Sequence, residues 1–168
     1  NVVDMGEMFF KTKKFNQPLN NWNVSNVENF TGMFDSAKSF NQPVGSWNVS
    51  KSLYMTRMFK NANLFNQPLN SWNTGQVECM AEMFESTSIF NQPLDSWNVS
   101  RVENMNKMFF NNVYFNQPLD SWNISRVKKM SEMFAYTGNF NQSLSCWDLT
   151  GKKSKDILLF ARGFNHEI

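Results

Sequence analysis

The residue types that most often carry catalysis or bind metals are few in this chain and stand far apart. His166 is the only histidine, and no cysteine lies near it. Cys79 and Cys146 occupy different positions in distant parts of the sequence, which favours two free thiols over a disulfide. Metal sites need several ligands close together, and acid–base catalysis needs a positioned partner group. The sequence therefore predicts no catalytic residues, no metal site and no cofactor.

Asparagine, by contrast, recurs at a fixed spacing of 25 residues. The row comprises Asn16, Asn41, Asn66, Asn91, Asn116 and Asn141. Such a row of amides could contact a glycan, or it could form a ladder in which each side chain bonds the backbone of the neighbouring repeat. We expect the structural ladder, because a ligand seldom needs the same contact in every repeat.

Tryptophan follows the same spacing. The six residues are Trp22, Trp47, Trp72, Trp97, Trp122 and Trp147. An indole has an apolar face and a polar N–H group, so an exposed row would suit a sugar platform. A side chain that every repeat shares is more often part of the core, and we therefore assign the tryptophans to the interior. The Met-Phe pairs that recur from Met8-Phe9 onward receive the same assignment.

All these rows belong to one internal repeat. Phe15-Asn16-Gln17-Pro18-Leu19 returns, with small changes and without insertions, from Phe40, Phe65, Phe90, Phe115 and Phe140. A period of this length indicates an array of stacked units that share one core. Because Val2 and Met5 are in register with Val27 and Phe30, the chain starts within a repeat. We expect the natural protein to continue beyond this N-terminus.

Composition narrows the classes of function. Lys and Arg total 16 against 14 Asp and Glu, and charged residues make up 18% of the chain. This balance gives no reason to expect nucleic-acid binding or electrostatic attachment to a membrane surface. No long apolar run is present, so we expect no direct membrane insertion of this fragment. The 17 Phe, 11 Met and 6 Trp residues are instead material for a packed interior.

The second half of each repeat has the spacing of a short helix. Val27, Phe30, Met33-Phe34 and Ala37 form one apolar stripe, and Ser25 stands where an N-cap hydroxyl would lie. Pro18 and its equivalents hold the first half extended. We therefore predict a right-handed α/β solenoid of about six repeats over residues 1–150, each with an extended segment or short strand and a short helix.

The last part of the chain departs from the repeat. A basic run, Lys152, Lys153 and Lys155, precedes an apolar stripe that includes Ile157 and Phe160. Terminal repeats are usually atypical, because one face covers the core and the other meets water. We predict that residues 151–168 form a C-terminal capping helix whose lysines are a solvated face rather than a ligand patch.

The complete pattern resembles a known family. Trp22-Asn23-Val24-Ser25, followed by Met33-Phe34 and Phe40-Asn41-Gln42-Pro43-Val44, is similar to the repeat of BspA-like leucine-rich-repeat surface proteins. It is closer still to the 25-residue repeats of unknown function in mycoplasma surface lipoproteins, and the match covers about residues 1–150. The resemblance implies a leucine-rich-repeat-like solenoid at the cell surface or outside the cell. It also implies adhesion or recognition, and it supplies no catalytic residues.

A binding surface is expected where the repeats differ at exposed positions. The turn before each tryptophan varies, and we call these positions the turn column: Asn20, Gly45, Asn70, Asp95, Asp120 and Ser145. We take Asn20, Asn70, Asp95 and Asp120 as candidate binding residues. The expected partner is a host or neighbouring-cell surface protein or glycan. The alternative is a purely structural spacer or assembly element of a fibre or virion, and an enzyme acting on a surface glycan is the weakest hypothesis.

Overall fold

The repeats stack on one another without forming helices. A computed structural model describes residues 2–166, and within that range the chain has no α-helix and no strand longer than a single bridging residue. The predicted α/β solenoid, with a helix and a strand in each leucine-rich-repeat-like unit, is therefore wrong. Residue 1 and residues 167–168, which the predicted regions included, lie outside the described part. The fold is largely irregular backbone, and its 25-residue repeats stack in register.

Single parallel bridges mark the register of the stack. They join residues one repeat apart, in the series Asp4, Asn29, Tyr54, Cys79, Asn104, Lys129 and Lys153. The first five steps are 25 residues long and the last is 24, which shows that the final turn has lost one residue. Each repeat therefore contributes one residue to this row of bridges, and the row does not widen into a sheet.

Alternating hydrogen bonds replace the helix that the apolar spacing predicted. The N–H groups of Phe30, Gly32 and Phe34 donate to carbonyls of the next repeat, at 2.8–2.9 Å. Between them, Met33 N–H donates to Phe30 O at 3.1 Å, and Asp35 N–H donates to Gly32 O at 3.0 Å. These bonds close tight turns of four residues. Of these five donors, two thus stabilise single turns and three join neighbouring repeats.

Backbone conformation confirms that this segment cannot be helical. Gly32 and Ser36 have positive φ angles of 63° and 61°, and Arg57 and Asn61 repeat the pattern at 56° and 54°. A positive φ at the third residue of a four-residue turn is the conformation that a type II turn requires, and it interrupts any right-handed helix. Consecutive tight turns bring every third residue inward, which is why they share the apolar spacing of a helix.

The predicted N-cap residues have a different role. The backbone N–H groups of Ser25, Ser50 and Ser100 each donate to the side-chain oxygen of the asparagine two residues earlier, at 3.1 Å. An asparagine that accepts from the chain two residues ahead forms an Asx turn. The Asn-x-Ser sequence therefore closes a turn in every such repeat, and it does not start a helix.

Aromatic rings form continuous files through the interior. Rings of the Phe40 series are 5.9–6.3 Å apart from one repeat to the next, and rings of the Phe34 series are 5.5–5.7 Å apart. Within a repeat, Phe34 lies 3.9 Å from Phe40. Both residues are fully buried, whereas Phe9 and Phe15 of the first turn are only partly covered. The shared core that the repeat predicted is thus present, although the backbone around it is irregular.

The C-terminal segment continues the stack as a shorter turn, and residues 151–166 do not form the predicted helix, although their capping role stays a prediction. Lys153 bridges Lys129, and the Phe164 ring stacks on Phe140 at 6.1 Å. Asp156 and Phe160 adopt the positive φ angles of the preceding turns, at 56° and 55°. The deletion of one residue shortens the connection without breaking the register.

Candidate functional site

The six recurrent asparagines connect neighbouring repeats. The Asn16 Oδ1 atom accepts a hydrogen bond from Asn41 N–H at 2.9 Å, and the same bond recurs at 2.9–3.0 Å up to Asn141. Asn141 in turn accepts from Asn165 N–H at 3.1 Å. The glutamine that follows each asparagine adds a second donor, as when Gln92 Nε2 lies 3.0 Å from Asn66 Oδ1. These amide oxygens are occupied by the protein itself.

The tryptophans are interior residues and not a sugar platform. Trp72, Trp97 and Trp122 are at most 3% exposed. Their indole N–H groups donate to carbonyls of the preceding repeat at 2.9–3.0 Å, as from Trp97 to Leu69 O. Trp22 is exposed because it belongs to the first described repeat, where no preceding turn covers it. Each buried indole therefore contributes both apolar area and one hydrogen bond between repeats.

The turn column lies at an exposed edge of the stack. Asn20, Asp95 and Asp120 are exposed, and Asn70 is half-buried. Two of them meet directly, because Asn70 Nδ2 donates to Asp95 Oδ1 at 3.0 Å, and Asn70 Oδ1 also accepts from Ser96 N–H at 3.0 Å. The column thus brings the four predicted binding residues onto one edge, but part of its hydrogen-bonding capacity is already used.

A second exposed edge carries large apolar side chains, which the sequence analysis missed. It is formed by seven segments that precede the recurrent phenylalanine, and we call them the edge segments: residues 11–14, 36–39, 61–64, 86–89, 111–114, 136–139 and 160–163. The aromatic edge is defined by their exposed apolar residues: Leu64, Ile89, Val113, Tyr114, Tyr136 and Phe160. Tyr114 N–H donates to Ser88 O at 3.3 Å, and Asn139 N–H donates to Val113 O at 3.1 Å, so successive edge segments lie side by side.

Charge distinguishes this edge from the rest of the molecule. The edge segments contain five basic residues, Lys11, Lys13, Lys14, Lys38 and Arg162, and no Asp or Glu. The whole chain, in comparison, has 16 basic and 14 acidic residues. A surface with cations and no anions attracts anionic partners, and such an attraction is screened by salt.

A pocket opens at one end of the aromatic edge. It has a volume of about 460 Å³ and is lined by Asn111, Tyr136, Gly138, Phe160 and Arg162. The Tyr136 ring packs between Phe110, at 5.2 Å, and Phe160, at 5.1 Å. Because Tyr136 and Phe160 are 44% and 59% exposed, both rings offer apolar surface to a ligand. Pockets that combine aromatic surface with a few polar groups are typical of ligand sites.

Ionic contacts lie on the neighbouring face, beside the edge segments. Lys60 Nζ contacts Glu82 at 2.6 Å and Glu85 at 3.1 Å. Burial raises the pKa of Glu85, although Lys60 opposes this shift. Burial alone would lower the pKa of Lys60, but its bonds to the two carboxylates outweigh that cost and raise the pKa. Burial explains the shift of Glu85, ion pairing explains that of Lys60, and neither calls for a catalytic role.

The two cysteines and the histidine lie apart from one another. Cys79 and Cys146 are unpaired thiols, and His166 contacts the Asn141 carbonyl at 3.1 Å. Across residues 2–166, no three His, Cys, Asp or Glu side chains are grouped so that they could hold a metal ion. In the same range no helix is long and apolar enough to cross a membrane.

The aromatic edge was not predicted, because the sequence analysis placed the variable surface in the turn before each tryptophan. One signal was present, since Leu64, Ile89 and Tyr114 occupy the same repeat position in three successive repeats. That position varies in identity but stays large and apolar in these repeats. A position that varies in identity but stays large and apolar indicates an exposed surface that is distinct from the repeated core.

Comparisons with known proteins identify a family but no activity. The family described as "Mycoplasma protein of unknown function, DUF285" matches residues 1–94 and again residues 67–168, which together span the chain. No curated protein and no solved structure matches the sequence. The chain therefore belongs to the DUF285 family, whose description names no ligand or reaction.

Proposed function

We propose that this member of the DUF285 family is a non-enzymatic recognition domain that acts at the cell surface or outside the cell. Its partner is a surface protein or glycan of a host or neighbouring cell. The observation that carries the proposal is the aromatic edge, where Leu64, Ile89 and Tyr114 are exposed in successive repeats. The repeat's resemblance to BspA-like surface proteins supports the location.

The aromatic edge has the properties of a binding surface. Tyr114 is 54% exposed, and Tyr136 and Phe160 extend the same edge. Contiguous exposed apolar residues mark interaction sites, and aromatic side chains are enriched among the residues that dominate binding energy. The hydrogen bonds between repeats hold these side chains on an ordered frame, so little order has to be gained on binding.

The spacer hypothesis is supported by a different observation. The bonds between repeats, such as those of Asn91 and Trp97, recur without variation through the stack. Regular stacking sets a fixed distance per repeat, which is all that a spacer requires. A spacer role gives no reason for large apolar side chains to be exposed along one edge. We prefer recognition because it does explain them.

Binding to arrays of extracellular-matrix proteins and glycans tests the proposal. The double variant Ile89→Ser/Tyr114→Ser removes two exposed apolar side chains, and Asp95→Ala/Asp120→Ala changes the turn column instead. We expect saturable binding by the native chain, at least a ~10-fold loss in the first variant and little change in the second. Circular dichroism and thermal unfolding should be nearly unchanged in both, because all four residues are exposed.

Each other outcome has a definite meaning. Loss of binding only in the Asp95→Ala/Asp120→Ala variant would move the site to the turn column and contradict the role of the aromatic edge. No saturable binding on broad arrays, together with self-association in analytical ultracentrifugation, would favour the spacer over recognition.

A further inference from the structure

The pocket at the end of the aromatic edge exists because the row of side chains is interrupted. Val113, Gly138 and Arg162 occupy equivalent positions in three successive edge segments, so Gly138 leaves a gap between two larger residues. A Cβ atom on Gly138 would lie 3.2 Å from Val113 Cγ1. Below it, a Cβ atom on Gly163 would lie 2.8 Å from Gly138 O. The two glycines therefore keep the backbones close and the gap open.

Two rings form the apolar wall of this gap. Tyr136 and Phe160 have centroids 5.1 Å apart with their planes inclined by 38°, and both are well exposed. Phe110 supports Tyr136 from the other side at 5.2 Å, which limits the motion of the tyrosine ring. The exposed rings offer apolar surface on which the C–H face of a sugar can pack, and the tyrosine hydroxyl adds a polar contact.

The polar groups of the pocket favour an anionic ligand. Among the described residues, Arg162 is the only charged one that lines the pocket, and a guanidinium group binds a carboxylate through two parallel hydrogen bonds. Asn111 supplies an amide, whose Nδ2 donates to Ser86 Oγ at 3.2 Å. Because the edge segments contain no carboxylate, nothing in them competes with a ligand's acid group for Arg162.

We propose that this pocket binds a carboxylate-bearing sugar residue of an acidic glycan. The sugar ring packs against Tyr136 and Phe160, its carboxylate pairs with Arg162, and Asn111 meets a hydroxyl group. The inference rests on the proposed recognition function and names the ligand class for one part of that surface. Lys11, Lys13, Lys14 and Lys38 lie farther along the same edge and would attract the rest of an anionic chain.

A matched pair of ligands tests the charge requirement. The probes are the methyl glycoside of glucuronic acid and its methyl ester, which have the same ring but differ in charge. Titration followed by NMR chemical shifts or calorimetry should give binding of the acid that is at least ~10-fold tighter than that of the ester, since hydrogen bonds between charged groups are the stronger class. Added salt should weaken binding of the acid and leave the ester unaffected.

Variants separate the roles of the lining residues. Arg162→Gln should remove the preference for the acid and leave binding of the ester unchanged. Phe160→Ala should weaken both probes, because it removes packing surface. Leu64→Ala lies on the same edge outside the pocket and is the control that should change neither. Equal binding of acid and ester by the native chain, or an unchanged preference in Arg162→Gln, would overturn the assignment.

Further outcomes distinguish this inference from the proposed function. If neither probe binds while array binding persists and depends on Ile89 and Tyr114, the sugar assignment is wrong and the recognition function stands. If a glutamate-rich peptide competes for the pocket and the sugar acid does not, the ligand is an acidic protein segment and the glycan assignment is overturned.

Discussion

The turn column and the aromatic edge lie on either side of the same Phe-Asn-Gln-Pro-Leu segment, and they differ in almost every property. The turn column consists of small residues, all polar except Gly45, and its only charges are Asp95 and Asp120. The aromatic edge is large, apolar and bordered by cations, with no acidic residue in its segments. Both lie on one ordered frame, so the same stack presents two edges of different chemistry.

Between these edges, the residues that repeat exactly are those that bond one repeat to the next. Asn91 accepts from Asn116 N–H, and Trp97 donates to Leu69 O. The exposed side chains at the position of Leu64, Ile89 and Tyr114 vary instead. Exact repetition therefore marks the framework, whereas variation of large side chains marks a surface that is available for binding.

The largest effect should come from the interior that both edges share. Phe84→Ala removes a fully buried ring that stacks on Phe59 and Phe109 at 5.7 Å. We expect a loss of about 3–5 kcal/mol in the free energy of unfolding, measured by urea denaturation. Phe9→Ala, in the partly covered first turn, is the control and should cost clearly less. Equal losses at the two positions would show that the stack does not gain its stability from neighbouring repeats.

The asparagine ladder should be the next most sensitive feature. Asn91→Ala leaves Asn116 N–H without its acceptor, whereas Gln117 Nε2 keeps its bond to the carbonyl of residue 91 at 3.2 Å. An unsatisfied, partly buried donor costs about 1–3 kcal/mol, and we expect a loss of that size. Asp120→Ala in the turn column should change the free energy of unfolding by no more than about 0.5 kcal/mol. If Asn91→Ala left the free energy of unfolding unchanged, the asparagine row would not be a structural ladder, and the glycan-binding hypothesis would be favoured.

A single buried amide directly beneath the aromatic edge offers a stabilising change. Asn112 is fully buried, and neither its Oδ1 nor its Nδ2 atom has a hydrogen-bond partner within the described chain. The equivalent Thr137 is also buried, and its hydroxyl donates to Phe134 O at 2.7 Å. We expect Asn112→Thr to raise the free energy of unfolding by about 1–2 kcal/mol, because it replaces unsatisfied groups with one satisfied hydroxyl.

The reciprocal substitution is the control for that prediction. Thr137→Asn places the same unsatisfied amide in the next repeat and should destabilise the chain by a similar amount in a thermal unfolding assay. A destabilising Asn112→Thr variant would contradict the prediction. It would mean that the Asn112 amide makes a hydrogen bond that threonine cannot replace.

The sequence predicted which residues face inward but not the backbone that holds them. The i, i+3 spacing of Val27, Phe30 and Met33 is shared by an amphipathic helix and by consecutive four-residue turns, so periodicity could not separate the two. Only Gly32 hinted at a positive φ, because equivalent positions carry charged residues such as Arg57 and Glu82. Their left-handed conformation is imposed by hydrogen bonds between repeats, which are long-range and leave no local signal.

The candidate site was predictable only in part, for the same reason. Exact repetition correctly placed Trp97 in the core, and variation placed Asp95 and Asp120 at an exposed edge. The aromatic edge depends on which residues the turns expose, and a helical assignment puts them on the wrong faces. The pocket depends further on Gly138 standing between Val113 and Arg162 in space, which requires the register of the stack.

The smallest expected effect concerns the charged face beside the aromatic edge. Burial raises the pKa of Glu85 above its ordinary value of 4.5, so the folded state binds this proton more tightly than the unfolded state. The contribution of Glu85 to the free energy of unfolding therefore falls as pH rises from 4.5 through the raised pKa of the folded state. Glu85→Gln does not titrate, and we expect it to be slightly more stable than the native chain at pH 7 and not at pH 4.

Glu103→Gln is the control of opposite sign. The bond from Lys128 lowers the pKa of the exposed Glu103, so this carboxylate contributes stability above pH 4.5 that is lost as pH falls through the lowered value. Glu103→Gln should thus be slightly less stable at pH 7 and equal to the native chain in strong acid. Thermal unfolding across this pH range measures both. Parallel curves for the two variants would mean that burial does not distinguish Glu85 from Glu103.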